Sequence, residues 1–290
     1  MALFGERPPP MPVILGAPRS GTTLLRLMLD ANPELAIGPE TGFLPALGAL
    51  REGSNARERV YSIVTNSPSW VDFGIDKQDF QNALTAIEPF SVSEACRCFY
   101  RLYASKFGKR RYGDKTPIYS FHIPSIDALL PEAHFVHLIR DGRDVALSLR
   151  TMWFSPGSDM QTQAESWAKY VRSARRTGAK CKRYIEVHYE HLILDTENVL
   201  KNICEFLNLP YHPCMLDYHL HARARLDEHQ GRRFSDGTVL TKEQRLQQQS
   251  RAMTAPQADL ISRWKAEMTE EEKRSFMRSA GHLLEELGYP

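Results

Sequence analysis

Pro12-Val13-Ile14-Leu15-Gly16-Ala17-Pro18-Arg19-Ser20-Gly21-Thr22-Thr23-Leu24-Leu25 is the stretch that decides the fold. Pro12 to Gly16 is a short apolar run closed by glycine, the pattern of a strand buried on both faces in a parallel sheet. Leu24, Leu25, Leu27, Met28 and Leu29 follow at near-helical spacing, and Asn32-Pro33 stops the run. A strand that turns into a helix through Ser, Gly and Thr aims backbone N–H groups and a helix N-terminus at one point, so geometry and dipole both favour an anion there. Ser20, Thr22 and Thr23 add hydroxyl donors, and Arg19 adds a fork able to grip two oxygens. Gly16 and Gly21 bracket four residues as in a Walker A loop, but Thr22-Thr23 stand where that loop has Lys-Ser/Thr. The turn is an anion cradle without the lysine that ATP-binding loops use.

Working outward, His134-Phe135-Val136-His137-Leu138-Ile139 leads through Arg140-Asp141-Gly142-Arg143 into Val145, Ala146, Leu147 and Leu149, a second strand and helix. Arg183 to His188 reads as a third strand, followed by an amphipathic helix around Val199, Ile203, Phe206 and Leu207. Strands alternating with helices predict an α/β chain with a P-loop-like three-layer fold: a central parallel sheet flanked by helices, with ligands at the carboxyl ends of the strands. Residues 45–109 read as a mostly helical insertion broken at Asn66-Ser67-Pro68-Ser69, and Met268 to Leu287 as a closing helix. Residues 220–256, polar and weakly periodic, read as a mobile loop or lid, and residues 1–290 as one domain.

Composition narrows the partners. The 37 basic and 35 acidic residues leave a net charge of +2, so no global field recruits nucleic acid or an anionic membrane. Cys96, Cys98, Cys181, Cys204 and Cys214 are odd in number and lack C-x-x-C spacing, which speaks against a disulfide framework and a zinc site. No apolar run has the length of a signal peptide or membrane span, so the expected setting is cytoplasmic. His219 and His221 have no carboxylate or cysteine at ligand spacing, and no metal is expected. Arg172, Arg175, Arg176, Lys180, Lys182 and Arg183 form a basic run that reads as a solvated face, with an acidic acceptor as the alternative.

Pro18-Arg19-Ser20-Gly21-Thr22-Thr23-Leu24-Leu25 resembles the 5′-phosphosulfate loop of sulfotransferases that use 3′-phosphoadenosine 5′-phosphosulfate (PAPS). The similarity is to the branch of bacterial sulfotransferases related to protein-tyrosine sulfotransferases, since cytosolic sulfotransferases usually carry Lys where Arg19 stands. The resemblance implies that Arg19, Ser20, Gly21, Thr22 and Thr23 bind the 5′-phosphosulfate. A sulfuryl group in transfer carries less charge than a phosphoryl group, which accords with the absent lysine and needs no metal. Arg140 and Ser148, eight residues apart and able to face the same end of the sheet, resemble the family's 3′-phosphate site. Glu40, 21 residues after Arg19 in Ile37-Gly38-Pro39-Glu40-Thr41, matches the branch's general base, a role that a partly buried carboxylate of raised pKa could fill. Gly113-Asp114-Lys115-Thr116-Pro117 resembles the segment that sets a lysine beside the leaving group, with Asp114 orienting the amine or capping the turn. Tyr189 matches a family tyrosine at the cofactor site.

The implied function is sulfuryl transfer from PAPS to an acceptor hydroxyl on a small molecule or carrier-bound intermediate, more than on protein tyrosine. The alternatives are a P-loop-type kinase using ATP and a non-catalytic nucleotide-binding module. Around Arg251, Thr254 and Pro256 the family's lid places a basic residue beside the proline, but Ala255 stands there, so lid contacts are left unassigned.

Overall fold

The structure, a computed structural model, describes residues 8–181, 183–233 and 237–290. Five strands, β1 (Met11–Leu15), β2 (Leu35–Ile37), β3 (Arg111–Lys115), β4 (Ala133–Ile139) and β5 (Tyr184–His188), form a parallel sheet in the order β2-β3-β1-β4-β5. Side chains alternate between two buried faces, as the pleat requires. Val13, Leu15, Ala36 and Phe135 join one core, while Ile14, Leu35, Ile37, Val136 and Leu138 join the other. Helix α1 (Thr22–Asp30), with Thr196–Phe206 and His219–Leu226, covers the second face. The insertion helices Ala56–Thr65, Lys77–Thr85 and Val92–Ser105 cover the first. A third cluster joins helix α2 (Gly142–Leu149) to Met160–Gly178 and the closing helix Glu270–Glu286. This is the α/β three-layer architecture expected from the alternation of strands and helices.

One strand carries no strand signal, and one stretch differs from its sequence reading. In Arg111-Tyr112-Gly113-Asp114-Lys115, Gly and Asp disfavour strands, yet the segment is β3, held between β1 and β2. Gly113 suits the crowding: a Cβ there would lie 2.7 Å from Pro12 Cγ and 2.8 Å from Pro12 O on the adjacent strand. Within residues 220–256, the described part holds helices His219–Leu226 and Lys242–Gln248 and a short antiparallel pair, Arg232–Arg233 with Val239–Leu240. Weak periodicity there reflects the shortness of these elements, since one or two turns cannot display an apolar stripe.

The order of the strands positions everything that follows. β1 lies at the centre, β4 on one side and β3 then β2 on the other, so the turns that leave β1 and β4 are neighbours and so are the ends of β2 and β3.

Candidate active site

Gly16 has φ of 152°, and a Cβ on it would sit 2.4 Å from the Leu138 carbonyl oxygen of β4. Only glycine lets the chain leave β1 this close to its neighbour. Gly21 caps α1 with φ of 96°, and a Cβ there would strike the Tyr189 ring at 2.5 Å. Arg19 adopts φ of 70°, a left-handed conformation rare for a residue with a side chain and characteristic of functional turns. At the centre of the turn Ser20 is buried, and its Oγ has no hydrogen-bond partner among the described residues. A buried hydroxyl left unpaired in a turn of N–H groups is a donor set aside for a ligand.

The Arg19 side chain leaves its own loop. Its Nε donates to Ser148 Oγ at 3.0 Å and its Nη1 to the Gln248 carbonyl at 3.0 Å. Arg19 therefore spans from the loop to the segment expected to hold the 3′-phosphate, and it ties Lys242–Gln248 to both. Arg140, at the end of β4, donates from Nη2 to the Leu260 carbonyl at 2.7 Å and lies 4.4 Å from the Tyr189 ring centroid, while its Nε has no partner among the described residues. Asp144, one turn into α2, is 3.9 Å from Arg140 and accepts from the Ser262 and Trp264 amides. Burial, with Arg140 and Arg251 nearby, lowers the pKa of the Arg19 guanidinium, the signature of a cationic pocket short of anions.

Glu40 follows β2 and Lys115 ends β3. Adjacent pairing, Ile37 opposite Gly113, brings Lys115 Nζ to 2.5 Å from Glu40 Oε1. The Lys115 side chain is 4% accessible and that of Glu40 42%, so the carboxylate faces the cleft with the ammonium behind it. Burial alone would raise the Glu40 carboxyl, but Lys115 in contact and Arg232 beyond hold it below its ordinary value. The expectation of a raised pKa is thus corrected: the nearby cations together outweigh desolvation. For Lys115, burial wins, and its pKa is lowered despite Glu40. Asp114, expected beside the amine or the turn, points to the opposite face of β3. Its carboxylate accepts from Thr41 Oγ1 at 2.6 Å, Tyr100 OH at 2.7 Å and Thr116 Oγ1 at 2.7 Å, with no hydrogen bond to Lys115.

Of the residues singled out in the sequence, Arg19, Gly21, Thr22, Thr23, Glu40, Arg140, Ser148 and Tyr189 line one cleft of about 370 Å³, within the range of small-ligand sites, whereas Ser20 and Lys115 lie behind its wall. Sequence reasoning missed several of its walls: Ile118, Trp153, Phe154, Tyr170, His229, Arg232 and Arg245 also face it. Asp72 of the insertion fixes the wall at Arg232 and Arg245. Its fully buried carboxylate accepts from the Gln230 amide at 2.8 Å, from both terminal nitrogens of Arg245 at 2.8 Å, and from Arg232. No sequence signal marks this contact, because its partners lie 158 to 173 residues away. The late segment meets Arg19 and Arg140 through main chain, the Gln248 and Leu260 carbonyls, which carry no residue signature.

The basic run lies off the cleft. Arg175 pairs with Glu186 and Glu286, and Arg183 with Asp127; Lys182 lies outside the described residues. Among the described residues there is no cluster of His, Cys, Asp and Glu able to hold a metal ion, and no helix long and apolar enough to cross a membrane.

The profile described as "Sulfotransferase family" matches residues 10–213. A "Putative protein-tyrosine sulfotransferase" of Caenorhabditis briggsae is 29% identical over 220 residues, covering 73% of this chain and 70% of that protein. "Protein-tyrosine sulfotransferase 1" of Danio rerio is 27% identical, covering 72% of this chain and 56% of its own, so the match spans little more than half of that relative. Among solved structures, the "Sulfotransferase Domain from the Curacin Biosynthetic Pathway" has the same fold, with a TM-score of 0.60, 22% identity, and coverage of 98% of this chain and 99% of that one.

Proposed function

Because this chain belongs to the sulfotransferase family, we propose that it moves a sulfuryl group from PAPS to an acceptor hydroxyl, with Glu40 as general base. The observation that carries the reading is a pair of anion subsites bridged by one side chain. The Gly16–Gly21 turn with its unpaired Ser20 Oγ is one, Arg140 with its unpaired Nε and Ser148 is the other, and Arg19 touches Ser148 while rooted in the first. PAPS carries anions at both its 5′ and 3′ positions, and these donors fit both. Ser20, Thr22, Thr23 and the Gly21 and Thr22 amides would hold the phosphosulfate, and Arg140 and Ser148 the 3′-phosphate. Tyr189 supports the Arg140 guanidinium from below.

Glu40 takes the acceptor proton as the new O–S bond forms, and it is ionised and ready to do so at neutral pH. Lys115 turns from Glu40 toward the oxygen left behind when the old S–O bond breaks, and its ammonium offsets the charge that develops there. Holding both reactants in one cleft supplies the rest. The cleft's size, with Leu240, Arg245 and Gln248 among its walls, suits a small-molecule or carrier-bound acceptor.

The test uses 3′-phosphoadenosine 5′-phosphate (PAP) and labelled PAPS. PAP should raise the Tm in EDTA while ATP hardly does. Glu40→Ala should keep that shift and lose transfer. Undiminished turnover in the variant removes Glu40 from the role, and absence of a PAP shift removes the donor.

A further inference from the structure

His229 follows the helix His219–Leu226 and lines the cleft. Its Nδ1 lies 2.9 Å from the Leu226 carbonyl oxygen. A carbonyl can only accept, so Nδ1 carries the hydrogen and Nε2 is left as a bare lone pair. Nε2 has no hydrogen-bond partner among the described residues, and it is absent from their buried unpaired atoms, so it keeps a face open to solvent. Burial, with Arg26 and Arg245 nearby, lowers the His229 pKa to about 3, which favours the neutral ring at neutral pH. The ring sits at the Glu40 end: its neighbour Glu228 pairs with Arg26 at 3.4 Å, and Arg26 donates from Nε at 2.9 Å to the carbonyl of Ile37, the last residue of β2 before Gly38-Pro39-Glu40. It cannot swing away easily. The next residue, Gln230, donates its amide to buried Asp72, which also grips Arg232 and Arg245.

The Glu40 end therefore holds two hydrogen-bond acceptors, a carboxylate and a neutral imidazole nitrogen. An acceptor hydroxyl has one proton, and in the reading above Glu40 takes it. The imidazole then needs a second donor on the same molecule. We infer that the acceptor is a vicinal diol or a hydroxy-amide, whose reacting hydroxyl faces Glu40 while a neighbouring O–H or N–H donates to His229 Nε2. A site built to hydrogen-bond a substrate group discriminates against analogues lacking it, since the unpaired site atom loses its partner.

This inference rests on Glu40 serving as the base, and catechol against 2-methoxyphenol tests it. The two phenols are alike except that the second lacks the neighbouring donor. The wild-type enzyme should favour catechol in kcat/KM by about tenfold, the equivalent of one hydrogen bond. His229→Phe should bring the ratio to about one, and His229→Asn, which restores an acceptor oxygen, should recover part of it. A wild-type ratio near one, or a ratio that survives in His229→Phe, overturns the inference. A second readout needs neither turnover nor a variant: in the PAP complex labelled with ¹⁵N-histidine, catechol should move the His229 Nε2 resonance toward the hydrogen-bonded range and 2-methoxyphenol should not. An unmoved resonance at saturating catechol overturns the inference even if neither phenol is sulfated. Failure of PAP to raise the Tm is a different result, which removes the donor reading itself.

Discussion

Lys115 Nζ donates to Glu40 Oε1 across 2.5 Å, joining residues 75 positions apart that neighbouring strands deliver to one point. The pair couples the group proposed to take a proton to the group proposed to support the leaving oxygen. Its electrostatics set a pH dependence. Glu40 must be ionised to act, and it is held below the ordinary glutamate value of 4.5, so the acid limb of kcat/KM should have its midpoint under that value. In Lys115→Met, burial is opposed chiefly by the more distant Arg232, and the limb should move upward. The same variant should lose about 10²–10³ in kcat, as when one transition-state donor is removed. A pH profile of kcat/KM for both proteins checks each statement.

Arg140 should decide affinity for the 3′-phosphate. Calorimetry of PAP against AMP, which lacks that group, should show a strong preference in the wild type. Arg140→Met should lose most of it, by about 1.5–3 kcal/mol for each charge-assisted hydrogen bond removed. AMP binding should change little.

Gly21→Ala places a methyl against the Tyr189 ring at a backbone angle that favours glycine. The variant should lose about 1–3 kcal/mol of stability, read from urea unfolding, since a packed ring must shift to admit it. PAP affinity should fall with it, because Tyr189 supports Arg140. Gly42→Ala is the control: its Cβ meets nothing within 4 Å, so only the backbone cost applies.

Asp72→Asn removes a buried charge that pairs with two arginines. Breaking such a cluster on one side costs about 3–5 kcal/mol. The Tm should drop, and limited proteolysis should find residues 230–250 more readily, since Asp72 is what fastens that wall to the insertion. Asp72→Glu should restore part of the protection.

The α/β architecture and the anion turn are legible in short runs of sequence. The apolar run before Gly16, the glycines of that turn and the helical leucines after it are local signals, each set by what a few consecutive residues can adopt. Glu40, Lys115, Arg140 and Ser148 were legible only through their likeness to a family pattern. Tertiary structure alone decided how they meet. β3 hides a strand behind Gly-Asp-Lys, yet its register carries Lys115 to Glu40 and turns Asp114 the other way. The same contact reversed the expected direction of the Glu40 pKa, because a charge's environment comes from whichever strand lies beside it. Arg19, a loop residue of the cradle, also reaches Ser148 and Gln248, contacts that no local pattern reveals. Asp72 and His229 sit in segments with no motif, and the cleft wall at His229 is fixed by Asp72 gripping the next residue, Gln230, across 158 residues of chain. Local conformation is written in neighbouring residues, whereas a site is written in distances between residues that only folding brings together.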